Sequence, residues 1–193
     1  MFAHDAPNPK PLVLLTTRRW ALACLSVLSA EDGARFVRLC RVLEQNPLSI
    51  RAALDHLMTL DLVMRNPGYG HPLRPEYILT QRGLNVGDAA RHVWDIARSI
   101  STPNVVWRKW TGPLLVAVDG PSEFGVLRSR LTPITDRALT AALRETQSAG
   151  WLKRTPIRSF PPSVLYARNP SAETLSQAFS AVNSAFQRLA CLQ

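Results

Sequence analysis

The chain of 193 residues contains an internal repeat, and this repeat limits its fold more than any other feature. Arg18-Arg19-Trp20 returns as Arg108-Lys109-Trp110, and Phe36-x-x-Leu39-x-x-x-Leu43 returns as Phe124-x-x-Leu127-x-x-x-Leu131. The copies are offset by about 90 residues, and self-similarity at a fixed offset marks a repeated structural unit. With 46% hydrophobic residues, each copy is long enough to bury its own core.

Each copy has the same order of secondary-structure signals. Apolar residues at helical spacing predict two helices, and Asn46-Pro47 and Thr135-Asp136 are start signals for a third. A β-hairpin and a fourth helix follow, so we predict a mainly α fold with small β-hairpins (α+β), built as tandem winged helix-turn-helix domains. The hairpin strands are predicted at Leu62–Arg65, Pro75–Leu79, Trp151–Arg154 and Val164–Ala167.

The same signals predict the boundaries of the domains. We expect a flexible tail over residues 1–10, a first winged-helix domain with a linker helix over 11–102, and a second domain with a C-terminal helix over 103–193. Val105 to Ala117 is expected as one helix, and Ser122 as the cap of the next. The last helix carries an apolar stripe that has to be buried against a wing domain or another helix. The stripe consists of Leu175, Phe179, Val182, Phe186 and Leu189.

Charge and composition favour a polyanionic partner. The net charge is +9 and the pI is about 10.5. Split at Pro103, the first part has 12 Lys and Arg against 9 Asp and Glu (+3), and the second has 11 against 5 (+6). Nucleic acid is the favoured partner and an anionic membrane surface the second, although a solvated basic surface without a partner is also consistent with the charge. No apolar run approaches the roughly 18 residues that span a bilayer. The three separated cysteines, Cys24, Cys40 and Cys191, suggest reduced, buried thiols, so we expect a soluble cytoplasmic protein associated with the nucleoid.

Two ordered series of residues resemble one known family. The first series is Trp20, Arg35-Phe36, Leu39, Ile50, Leu54, Leu57, Leu62-Val63-x-Arg65, Pro75-Glu76-Tyr77-x-Leu79-Thr80, Gly83 and Trp94. The second is Lys109-Trp110, Phe124, Leu127, Ile134-Thr135-x-Arg137-x-Leu139-Thr140, Leu143-Arg144-Glu145, Gly150-Trp151-Leu152-x-Arg154, Pro161-Pro162 and Tyr166. Both series resemble the HxlR-type winged-helix transcriptional regulators of bacteria, and together they cover most of the chain.

The resemblance implies a DNA-binding regulator that needs no cofactor. Members of this family typically carry one such domain and dimerise through their terminal helices. Some sense electrophiles through a cysteine shortly before the tryptophan, but no cysteine closely precedes Trp20 or Trp110, and Cys24 is interpreted as a core residue. The chain also departs from the family pattern. It has Asp61 where glycine is usual, Asp136 where proline is usual, and Asn169-Pro170-Ser171 where Leu-Thr is usual.

The winged-helix geometry selects the residues that we expect to contact double-stranded DNA. The third helix of each copy would present its exposed face to the major groove, and the wing would reach phosphates. This face is more basic in the second copy, whereas in the first copy only Arg51 is a strong donor. The expected contacts are Ser49, Arg51, Arg65, Arg74, Arg128, Arg137, Thr140, Arg144, Lys153, Arg154 and Arg158. The same elements also carry Arg35, Arg38, Arg41, His71 and Arg130.

Several alternatives stay open at this point. The two copies can act as a pseudo-dimer in one chain, or the C-terminal helix can build a true homodimer with four readers. A protein-interaction scaffold and a sequence-indifferent architectural or repair protein are the main functional alternatives. An enzyme is the least favoured class, because the histidines and cysteines lack metal-ligand spacing and no glycine-rich phosphate loop is present.

Overall fold

The computed structural model describes residues 8–66, 76–158 and 163–190. For residues 189 and 190 it describes the backbone alone. The first half contains α1 (Lys10–Leu15), α2 (Ala21–Ala30), β1 (Ala34–Arg35), α3 (Phe36–Leu43), α4 (Pro47–Thr59), β2 (Val63–Asn66), β3 (Glu76–Leu79) and α5 (Gln81–Ser99). The second half contains α6 (Pro103–Val106), α7 (Thr111–Ala117), β4 (Ser122–Glu123), α8 (Phe124–Arg130), α9 (Asp136–Ser148), β5 (Leu152–Ile157), β6 (Ser163–Arg168), a 3₁₀ turn (Pro170–Ala172) and α10 (Glu173–Ala190).

Each half contains a small antiparallel sheet of the same topology. The strand orders are β1-β3-β2 and β4-β6-β5, so the return strand of each hairpin lies in the middle. Ala34 pairs with Tyr77 in one sheet and Ser122 pairs with Tyr166 in the other. The fold is therefore mostly helical with two small sheets, as the sequence predicted.

Local sequence signals set the ends of both third helices. The Asn46 side chain accepts a hydrogen bond from Ser49 N (2.9 Å), and the Thr135 hydroxyl accepts one from Ala138 N (3.2 Å). Both predicted N-caps are confirmed. At the other end, Asp61 (φ +55°) and Gly150 (φ +74°) both adopt the left-handed conformation that ends a helix. Aspartate therefore takes the conformation that glycine takes in the second half, at some cost in backbone strain.

Three local predictions were wrong. Strands β1 and β4 were not expected, because two-residue strands form only through pairing with a distant hairpin. Ser122 lies in β4 and donates its hydroxyl to Gly120 O (3.0 Å), so it does not cap the next helix. The single helix expected from Val105 to Ala117 is two helices, interrupted by a turn at residues 107–110.

The halves share one hydrophobic core. α5 packs against α10, and α1 packs against α7 and α10 of the other half. The buried Leu12 N donates to the Asn183 side chain (3.1 Å), which holds α1 on α10. Trp107 contacts Trp20 (6.5 Å between centroids) and Trp94 (5.7 Å), so an aromatic cluster also joins the halves. Residues 1–7 of the expected tail lie outside the described residues, and Lys10 already begins α1.

The apolar stripe of α10 is buried within the chain. Leu175, Phe179 and Val182 are each at most 2% exposed, and Phe186 packs against the same core. The helix can approach α7 closely because residue 112 is glycine: a Cβ there would lie 2.7 Å from the Phe179 ring. Of the two burial modes that the sequence left open, packing against other helices is the one observed; the Leu189 side chain lies outside the described part.

Candidate nucleic-acid interface

The exposed face of α9 carries two arginines in line. Arg137 and Arg144 are seven residues apart, so they point in nearly the same direction about 10.5 Å apart along the axis. Both are exposed, while Leu139 and Leu143 on the opposite side are buried. Within the described residues neither arginine forms an ion pair or a hydrogen bond. Thr140 lies half-buried beside them.

A basic wing lies next to this helix. α9 contacts β5, and β5 carries the exposed Lys153 and Arg154, with the exposed Arg158 just beyond its end. Successive strand residues point to opposite faces, so Lys153 and Arg154 present charge on both sides of the ribbon. The tip at residues 159–162, which includes the Pro161-Pro162 motif, lies outside the described residues.

The arginines of α8 are engaged within the protein. Arg128 forms an ion pair with Asp136 at the start of α9 (2.6 Å), and both groups are exposed. Arg130 donates to Ala117 O (2.8 Å). Arg128, predicted as a DNA contact, is therefore paired with a carboxylate at the N-terminus of α9, and Arg130 links α8 to α7.

The equivalent face of α4 has a different chemistry. Arg51 stacks on the Phe36 ring, with its guanidinium carbon 4.8 Å from the ring centroid. Ser49 is half-buried in the first turn, and its N–H is bound to the Asn46 cap. The His56 ring is half-buried, and its Nε2 lies 3.0 Å from Leu14 O at the end of α1. The face of α4 that was predicted to meet DNA is thus partly occupied by contacts within the chain.

The basic residues around the first wing are also held in place. The Arg65 guanidinium lies over the Tyr77 ring (5.5 Å) and donates to the Tyr77 hydroxyl (3.1 Å). Arg35 pairs with Glu76 (3.5 Å). Arg38 pairs with Glu31 (2.7 Å), and this hydrogen bond lowers the pKa of the Glu31 carboxyl. Two further predicted residues, His71 and Arg74, lie outside the described residues.

Sequence reasoning missed a cluster of cations on one flank of α9. Arg19 from the first repeat motif and Arg108 and Lys109 from the second line a cleft of about 360 Å³ together with residues of α9. The signal was present, because these are the basic residues of the repeated Arg-Arg-Trp and Arg-Lys-Trp motifs. Their convergence depends on how the two halves pack, which the sequence does not encode locally.

The described thiols are poorly suited to redox sensing. Cys24 is fully buried, as predicted, and burial raises the pKa of its thiol to about 12. Cys40, expected to be buried, is half-buried, and burial raises its pKa as well. A thiol needs a lowered pKa and access to solvent to react quickly. Among the described residues no group of three His, Cys, Asp or Glu side chains could hold a metal ion, and no described helix is long and apolar enough to cross a membrane.

Comparison with known proteins agrees with the architecture of the second half. Residues 105–189 match the family described as HxlR-like helix-turn-helix. The matched range contains α9, the basic wing and α10, whereas the first half lies outside it. The chain is also similar to the uncharacterized HTH-type transcriptional regulator YdeP of Bacillus subtilis, with 34% identity over 76 residues. That alignment covers 39% of this chain and 59% of the relative, so the chain spans well under two thirds of the relative's length. No solved structure matches the chain.

Proposed function

We propose that this protein is a DNA-binding transcriptional regulator that carries two winged-helix units in one chain and reads bases with the second unit. The observation that carries the proposal is the pair of exposed arginines on α9, Arg137 and Arg144, beside a wing bearing Lys153, Arg154 and Arg158. Arginine forms bidentate hydrogen bonds with guanine in the major groove, and wing cations bind phosphates.

The overall charge and the comparisons support this proposal. The second half carries the larger share of the net charge of +9, and it is also the half that matches the HxlR-like helix-turn-helix family. The relative YdeP is named as an HTH-type transcriptional regulator. A regulator of this kind would act on chromosomal DNA in the cytoplasm.

The packing of the halves supports a pseudo-dimer. Regulators that recognise two half-sites normally do so as two-fold dimers. In this chain α5 and α10 pack against each other, and a single core joins the two halves. A second contact with DNA would then be intramolecular, at an effective concentration of roughly millimolar for closely linked units.

A monomer is the expected state in solution. Leu175, Phe179 and Val182, which would have to form a homodimer interface on α10, are already buried inside the chain. Light scattering at several protein concentrations tests this assignment. A mass near 21.4 kDa supports the pseudo-dimer, whereas a stable mass of twice that value favours a homodimer with four reading helices.

The first half is proposed to grip phosphates or to contact a partner, and not to read bases. Its reading helix offers Arg51, which is stacked on Phe36, and its wing offers Arg65, which is bound to Tyr77. Guanidinium groups in such contacts can still meet a phosphate, but they are less free to adopt the in-plane geometry that guanine requires.

Competition binding tests the proposed function. A labelled duplex, enriched by selection from random sequence, is titrated with the full chain and then challenged with unlabelled selected or random duplex. A regulator binds the selected duplex at least a thousandfold more tightly than random duplex, in line with typical specificity ratios. Equal competition by both duplexes identifies an architectural protein, and the absence of binding to either rules out a DNA-binding function.

One observation favours a protein-interaction scaffold as the second candidate. Leu48 on α4 is 80% exposed and Val37 on α3 is 67% exposed. An exposed apolar side chain such as Leu48, on the helix that would meet DNA, suits a protein partner better than a polyanion. Replacing Leu48 by Ser should then weaken partner binding and leave DNA binding unchanged.

A further inference from the structure

The two copies of the repeated basic motif meet at a single cleft beside α9. The cleft has a volume of about 360 Å³. It is lined by Arg19 from the loop between α1 and α2, by Arg108 and Lys109 from the turn between α6 and α7, and by one flank of α9. Pockets of roughly 300 Å³ or more are large enough for small ligands.

Positive charge in the cleft is not fully compensated. Of the three cations, Arg108 is ion-paired with Glu145 (3.6 Å). Among the described residues no carboxylate lies within ion-pair distance of Arg19 or Lys109. Partial burial, followed by the repulsion of Arg108, lowers the pKa of Arg19 below its ordinary value. An anion bound between these groups would relieve the repulsion.

Apart from the Glu145 carboxylate, which also lines the cleft and pairs with Arg108, the rest of the lining is apolar or small. Ala138, Ala141 and Ala142 form the α9 side, and Trp110 forms part of the opposite wall. The hydroxyl of Thr17 already donates to Val13 O, and that of Thr111 donates to Val105 O. The cleft therefore offers cationic donors at one place and flat apolar contact elsewhere, which suits a ligand with one negative group on an apolar body.

We propose that this cleft binds a small aromatic monocarboxylate, with the carboxylate between Arg19 and Lys109 and the ring against the alanine flank of α9. Inorganic phosphate matches the charge but leaves the apolar flank without a contact. A neutral ring matches the flank but gives no anionic partner to Arg19 and Lys109, which lie over the Trp20 ring (4.8 Å) and the Trp110 ring (4.9 Å). The site depends on both halves of the chain, because Arg19 and Lys109 come from different copies of the motif.

Such a ligand would act on the reading helix directly. The cleft is lined by Ala138 and Ala141, which lie within the same turns of α9 as Arg137 and Arg144. A bound carboxylate neutralises positive charge in the cleft and so lowers the positive potential beside α9 that attracts DNA phosphates. This second step rests on the proposed function; the binding step does not.

Calorimetric titration of the full chain in the absence of DNA tests the binding step. Benzoate is the probe, with benzamide and inorganic phosphate as comparators. We expect benzoate to bind with a Kd of about 1 mM or tighter, and the comparators to bind at least tenfold more weakly. Failure of benzoate to bind, or binding of phosphate as tight as that of benzoate, would overturn the proposal.

Variants locate the site. Arg19→Gln and Lys109→Gln should each weaken benzoate binding roughly tenfold, because each removes a charge-assisted hydrogen bond. Arg18→Gln is the matched control, since Arg18 is an exposed neighbour that does not line the cleft, and it should leave binding unchanged. Ala141→Leu fills the cleft from an exposed helix position with a good helix former, so it should abolish binding without loss of folding. Equal binding by wild type, Arg19→Gln and Ala141→Leu places the ligand elsewhere.

DNA titration then separates this site from the reading face. If Arg19→Gln and Lys109→Gln weaken DNA binding and benzoate never binds, the cations are phosphate contacts and the proposal is wrong. If benzoate binds in calorimetry but the protein shows no affinity for DNA, the proposed ligand site is supported and the proposed DNA-binding function is wrong.

Discussion

Helices α4 and α9 have the same framework but different exposed faces. The two helices align at both ends: the cap Asn46 corresponds to Thr135, and the left-handed Asp61 corresponds to Gly150. In this alignment Leu48 corresponds to Arg137, and Asp55 corresponds to Arg144. Both helices have 13 residues, and both bury the side at Leu54 and Leu143. On the exposed face, two arginines in one helix correspond to a leucine and an aspartate in the other.

The difference shows which positions the fold constrains. The caps, the buried leucines and the return-strand tyrosines are similar in both halves because they hold the helix on its sheet. The packing of the helix on its sheet does not require particular residues on the exposed face. The residues of that face can therefore differ between the two halves. At these two positions α4 lacks the donors that guanine and phosphate require, whereas α9 has them.

The largest expected effect comes from giving α9 the residues of α4. Arg137→Leu combined with Arg144→Asp should cost about 2–6 kcal/mol of binding free energy on a selected duplex, if the two base contacts add. Fluorescence anisotropy titration measures this loss. The reciprocal control, Leu48→Arg with Asp55→Arg, adds positive charge to α4 and should strengthen binding to random duplex at low salt. An α9 variant that binds like the wild type would disprove the assignment of α9 as the reader.

A single arginine on each helix gives the next largest effect. Arg137→Ala should weaken binding to the selected duplex by about 1–3 kcal/mol. Arg51→Ala should cost less than about 1 kcal/mol, because its guanidinium is stacked on Phe36 and is proposed to contact phosphate at most. Equal losses in both variants would show that the halves read DNA symmetrically.

The two wings provide a comparison of phosphate contacts. Arg158→Ala should reduce the slope of log Kobs against log salt concentration by about 0.9, the value for one phosphate contact on duplex DNA. Arg65→Ala should change that slope less, because Arg65 is bound to Tyr77. Titrations over a salt series measure both slopes. A larger change for Arg65 would move the main phosphate contact to the first half.

The smallest difference concerns the two N-caps. Asn46→Ala and Thr135→Ala should each destabilise the protein by about 1 kcal/mol, because each leaves a backbone N–H in the first turn without its partner. Denaturant unfolding measures this loss. Only Thr135→Ala should also weaken DNA binding, since it loosens the helix that carries Arg137. Loss of DNA affinity in Asn46→Ala alone would contradict the comparison.

Sequence was informative at several positions where structure depends on near neighbours. The caps at Asn46 and Thr135 could be predicted because each depends on a hydrogen bond to a residue three positions along the chain. The arginines on α9 could be assigned to an exposed face because helical spacing alone separates them from Leu139 and Leu143.

The features that sequence did not predict depend on distant contacts. Strand β4 forms only because Ser122 pairs with Tyr166, and α1 is held by Asn183 near the other end of the chain. Stacking on Phe36 and the ion pair between Arg128 and Asp136 limit two candidate DNA contacts, and neither is visible in a pattern of residue types. The cation cluster beside α9 was missed for the same reason.

Selection of bound duplexes from a random library, repeated with the Arg137→Ala chain, tests the central claim most directly. With the wild type, the account predicts one short block of strongly preferred bases with a guanine at its centre, flanked by positions of little preference. Arg137→Ala should relax the preference at that guanine and leave the flanks unchanged. Two equally strong blocks, or an unaltered block in the variant, would contradict the account that α9 alone reads the bases.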